Sequence, residues 1–71
     1  MTVLFSEHAL EQCRERGVSI SEVKEAVQKG AKHLQHDNNI VSIYRHMKVI
    51  FKKVEETYFI ITVMIRKEHE K

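Results

Sequence analysis

Residues Tyr58 to Ile65 read YFIITVMI, the longest apolar run in the chain, with only Thr62 interrupting it. The run is rich in β-branched and aromatic residues, which reads as a strand. It is far shorter than the roughly 18 apolar residues a membrane-spanning helix needs. It is apolar at odd and even positions alike, so both its faces are apolar. That pattern suits a strand inside a sheet covered on one side by helices. Working outward, Glu55-Glu56-Thr57 reads as a hairpin turn and Val49 to Val54 (VIFKKV) as the preceding strand. His46-Met47-Lys48 reads as the turn before that, and Ile40 to Arg45 (IVSIYR) as another strand. Asp37-Asn38-Asn39 is a turn signal, and Lys32 to His36 reads as a further, weaker strand.

Upstream of Gly30 the period changes from strand to helix. Ser19-Ile20-Ser21-Glu22 spells a capping box, in which Ser19 caps the amide of Glu22 and Glu22 reaches back. Val18 and Val23 stand at the positions of a hydrophobic staple, and Ile20, Val23, Ala26 and Val27 form an apolar stripe. An earlier helix starts after Ser6, carries Glu7 in its first turn, and runs to about Arg16, where Gly17 closes it. Thr2 to Phe5 (TVLF) reads as a brief edge strand. The expected fold is α+β, in the order β-α-α-β-β-β with one optional extra strand. A short N-terminal strand precedes a helical hairpin, followed by a three- to four-stranded antiparallel sheet with both helices on one face.

The chain has 71 residues, two Gly and no Pro, which leaves little room for linkers, so residues 1–71 are expected to form a single domain. A domain this small buries only about 60% of the surface its unfolded chain exposes, so caps and turns matter. The one cysteine, Cys13, has no partner for an internal disulfide, and a cytoplasmic location is expected. The N-terminus MTVLFSEHAL does not read as a signal peptide. The net charge of +2 is too small to argue nucleic-acid binding by itself. Its distribution is uneven: Lys32, Arg45, Lys48, Lys52 and Lys53 face Asp37 alone between Ala31 and Lys53, where His33, His36 and His46 also fall. That stretch is either a solubilising face or a phosphate-binding surface.

On the first helix, His8, Gln12 and Arg16 fall on one stripe at about 100° per residue. An imidazole can move a proton near neutral pH and a guanidinium can neutralise phosphate oxygens. The plain alternative is a solvated helix edge. His33 and His36 are three apart, and along a strand such residues point to opposite faces, so no metal site is expected there. Cys13 reads as a small core residue. Tyr44, Tyr58 and Phe59 serve either base stacking or sheet packing.

Phe5-Ser6-Glu7-His8-Ala9-Leu10, Glu15-Arg16-Gly17-Val18-Ser19 and Ile61-Thr62-Val63 together resemble the domain of unknown function 4258 family, over essentially the whole chain. Members of that family commonly read S-x-H-A, E-R-G-I-S and a final I-T-V-Y. The family is similar to the RelE/ParE-like toxins and to small barnase- and colicin-like ribonuclease folds. The resemblance implies an RNA-cleaving or toxin-like role without a metal or other cofactor. It implies RNA or the ribosome, a cognate antitoxin or another protein as partners; the short apolar runs, separately, lead to the expectation of no membrane. In such a reaction His8 would be acid or base, Arg16 the phosphate clamp, and Thr62 a hydrogen-bonding group. Gln12, Arg45, Lys48 and Arg66 would contact the nucleic acid.

The chain departs from the family pattern at Gln12, where relatives often carry Arg, and at Met64, where they often carry Tyr. A missing cation and a missing phenol fit a relative that keeps the fold and binds without turnover. A third reading is a self-associating protein, a homodimer paired through the apolar last strand if its second face is uncovered.

Overall fold

The computed structural model describes residues 2–65, without the side chain of residue 36. Strand β1 (Thr2–Phe5) leads into helices α1 (Glu7–Arg16) and α2 (Ile20–Lys29), followed by strands β2 (Ala31–Leu34), β3 (Ile40–Tyr44), β4 (Met47–Val54) and β5 (Thr57–Ile65). The fold is α+β, as the sequence predicts. The five strands form one sheet in the order β1-β5-β4-β3-β2. β2 to β5 are antiparallel, and β1 joins β5 in parallel, which makes the sheet mixed. Because β1 and β2 occupy opposite edges, the helical hairpin between them carries the chain across the whole sheet.

Local chemistry explains the helix ends. The Ser6 hydroxyl accepts the Ala9 N–H at 3.0 Å and caps α1. Gly17 ends it in the left-handed conformation, φ 67°, while the Val18 N–H donates to the Cys13 carbonyl at 2.9 Å. At α2 the Ser19 hydroxyl accepts from Glu22 N–H at 3.1 Å and the Glu22 carboxylate accepts from Ser19 N–H at 2.9 Å. The expected capping box is thus formed.

α1 lies over β5 and β1, and α2 over β3 and β4. Ala9, Cys13, Val23, Ala26 and Val27 from the helices meet Met47, Val49, Phe51, Ile60 and Val63 from the sheet. Phe51 and Ile60 are almost fully buried, each contributing roughly 1.5–3 kcal/mol relative to exposure. Ser42 is the buried polar side chain of this layer; it donates to the Ala26 carbonyl, which also accepts from Gly30 N–H.

Two turns are tighter than the sequence suggests. β4 starts at Met47, so Met47 and Lys48 belong to the strand and the turn is Arg45-His46 alone. β5 starts at Thr57, leaving Glu55-Glu56 as the other turn. Burial of Met47 in the core extends β4 towards the turn. Each short loop is closed by a positive φ at its first residue, 58° at Arg45 and 57° at Glu55. The β2–β3 connection uses Asp37 and Asn38 at φ 62° and 63°, residues that tolerate this region.

Candidate nucleic-acid interface

β4 is the middle strand of the sheet. Met47, Val49 and Phe51 point into the core, so Lys48, Ile50 and Lys52 project from the face opposite α1 and α2, here called the open face. Their cross-strand partners share that face. Lys52 pairs with Phe59, which pairs with Leu4; Ile50 lies between Thr62 and Val41; Lys48 lies between Met64 and Ile43. His33 extends the middle row through its pairing with Val41. Phe59 is 42% exposed and Leu4 49% exposed. Among the described residues, the charged side chains at open-face strand positions are lysines; no carboxylate stands there.

Lys52 and Lys53 are adjacent in sequence, but alternation separates them. Lys53 lies on the helix side, its ammonium 5.5 Å from the centre of the Tyr58 ring. Tyr58 packs against Phe51 with centroids 5.5 Å apart. Of the three aromatics suggested for stacking, Phe59 is therefore the one on the open face. Lys52 could have been found from the period of two in VIFKKV, once Val49 and Phe51 are taken as core.

Thr62 reaches the open face through an irregularity. Ile60 and Val63 are both fully buried although three residues apart. A regular strand would put them on opposite faces. The register jumps from Phe51–Ile60 to Ile50–Thr62, so Ile61 is an extra residue, a β-bulge. Thr62 then pairs with outward-facing Ile50, and Val63 returns to the core.

The bulge sits beyond the end of β1, where α1 borders β5. The Ser6 hydroxyl donates to the Ile61 carbonyl at 3.2 Å, and Gln12 Oε1 accepts the Val63 N–H at 2.9 Å. Gln12 is half-buried and its carbonyl is spent on the backbone. His8 and Arg16, one turn to either side of Gln12, are exposed. His8 has no hydrogen-bond or ion-pair partner among the described residues; Arg16 lies 3.7 Å from the Glu15 carboxylate. His8 and Arg16 are about 12 Å apart along the helix axis. Thr62 projects from the opposite side of the sheet. The stripe and Thr62 therefore flank one stretch of β5 from two sides and do not converge on a single pocket.

Arg45 is elsewhere, in the β3–β4 turn, with its guanidinium 5.1 Å from the centre of the Tyr44 ring. It lines a small cleft with Glu22, Glu25, Tyr44, His46 and Met47. The Glu22 carboxyl is held below its ordinary range by the Ser19 backbone and hydroxyl hydrogen bonds, with His46 and Arg45 adding attraction. Lys48 shares the open face with Thr62, and Arg66 lies outside the described residues. Burial pushes the Cys13 thiol up, in keeping with a core position. Among the described residues no group of three or more His, Cys, Asp or Glu could hold a metal ion, and no helix is long and apolar enough to cross a membrane.

No curated protein and no solved structure matches the chain. The family model described as Domain of unknown function (DUF4258) matches residues 5–65, from the end of β1 to the end of β5. That span holds both helices, the bulge and the open-face lysines, and the chain belongs to the DUF4258 family.

Proposed function

We propose that this domain binds single-stranded RNA on the open face of its sheet. The observation that carries the reading is the placement of Lys48 and Lys52 on the middle strand of a face that has no carboxylate at its strand positions among the described residues. Two like charges there disfavour stacking a second copy face to face, because four ammonium groups would meet near the shared axis. They favour a polyanion. Phe59, directly opposite Lys52, offers a ring for a base beside a cation for its phosphate, and Thr62 offers a hydrogen bond to ribose or base. RNA is also the target implied by the kinship read from the sequence motifs between this family and the RelE/ParE-like toxins.

Titrating an isotope-labelled sample with a fluorescein-free 12-nucleotide RNA, followed by amide shifts, tests this. Shifts concentrated at Lys48, Lys52, Phe59 and Thr62 are expected. Shifts confined to the helices, or none, would sink the reading.

A second reading is RNA cleavage, favoured by one observation: His8 is exposed and unpartnered among the described residues, one turn from Gln12 at the edge of β5. A base would take the proton of the ribose 2′-hydroxyl as its oxygen attacks phosphorus. The bond to the 5′-oxygen breaks, an acid protonates that oxygen, and a 2′,3′-cyclic phosphate remains. His8 would serve as acid or base, and Arg16 would stabilise the added charge. Cleavage lost in both His8→Ala and Arg16→Ala supports this reading; undiminished cleavage in both disposes of it.

A further inference from the structure

We infer that Gln12 is a positioning residue that fixes the bulge of β5 and so holds Thr62 on the open face; this rests on the RNA-binding reading. The local pairing leaves a choice. If β5 ran on regularly from Ile60, Thr62 and Met64 would enter the core, and Val63 and Ile65 would face outward. The observed register does the reverse, at the cost of an unpaired Ile61. Burying Val63 instead of Thr62 favours the bulge, but leaves polar backbone groups exposed on the side of β5 that β1 no longer covers.

α1 supplies the missing partners in sequence order along the strand. Ser6 N–H donates to the Ile60 carbonyl at 3.0 Å, and the Ser6 hydroxyl to the Ile61 carbonyl at 3.2 Å. Gln12 Oε1 then accepts the Val63 N–H at 2.9 Å. These contacts bracket the bulge on both sides, so the shifted register is tied to α1 as well as to β4. Ser6 is also the helix cap, which makes Gln12 the residue that can be changed without removing the start of α1. A glutamine at this position thus acts on the open face from behind the sheet, through Thr62, without touching RNA.

The test is a double-mutant cycle on RNA affinity, with NMR as the second readout. Gln12→Ala in the wild-type background is expected to weaken binding of a 12-nucleotide RNA about threefold to tenfold, and in a Thr62→Val background by less than about twofold. Gln12→Ala should also weaken the proton–proton contact between Thr62 and Ile50 and speed exchange of the Val63 amide. Gln12→Glu, which keeps the accepting oxygen, should restore both NMR signatures. An equal affinity loss in both backgrounds, or an unchanged Thr62–Ile50 contact in Gln12→Ala, would overturn the inference. Wild-type protein that binds no RNA would refute the binding reading and, with it, the link to RNA; the NMR contact would then decide the positioning claim alone.

Discussion

Gly30 and Ser42 press against each other at the join between α2 and β2. A Cβ on Gly30 would collide with the Ser42 hydroxyl, and would also stand 2.6 Å from the Ala26 carbonyl oxygen and 2.9 Å from that of Ile43. Gly30→Ala should therefore destabilise the fold by about 1–3 kcal/mol, read from urea unfolding midpoints. A Ser42→Ala background should recover only part of that loss, because the two backbone carbonyls remain. Full recovery would show that the hydroxyl alone sets the limit.

Gly17 is intolerant for a different reason. Nothing lies within 4 Å of a Cβ built there, but its φ is 67°. Gly17→Ala should cost about 1–2 kcal/mol through backbone strain alone. The same conformational argument runs the other way at Glu55, at φ 57°. Glu55→Asn should stabilise by about 0.5–1 kcal/mol, since Asn accepts this region more readily. A lower unfolding midpoint for Glu55→Asn would contradict it.

The capping box makes stability depend on pH. The folded Glu22 carboxyl titrates below its ordinary value, chiefly through its bonds with Ser19. Its contribution is therefore fully present above the ordinary carboxylate range and is lost as pH falls through the folded value. Ser19→Ala should remove the cap, costing about 1 kcal/mol near neutrality, and should flatten this acid limb. An acid limb as steep as that of the wild-type protein would show that other carboxylates carry it.

The fold was largely legible because its signals are local. Gly17, the Ser19–Glu22 box and the alternation in the last strands each act within a few residues. What was hidden is non-local. The parallel pairing of β1 with β5 joins residues over fifty positions apart, and no short motif encodes it. The bulge at Ile61 is equally hidden, since YFIITVMI is apolar at both parities and its lone Thr62 does not by itself fix the phase. For that reason the sequence marks Thr62 as a site residue without revealing its face. Gln12, read as a lost cation, proves to hold a backbone amide, a role visible only once α1 is laid beside β5.

The salt dependence of RNA binding decides most directly whether the open face is a phosphate surface. Fluorescence anisotropy of a labelled 12-nucleotide RNA, measured across a series of salt concentrations, should give a linear fall of log affinity with log salt. In the Lys48→Ala, Lys52→Ala double variant that slope should be shallower by about 1.4, some 0.7 for each lost phosphate contact. An unchanged slope in a folded double variant, or wild-type affinity indifferent to salt, would contradict the assignment of RNA to this face.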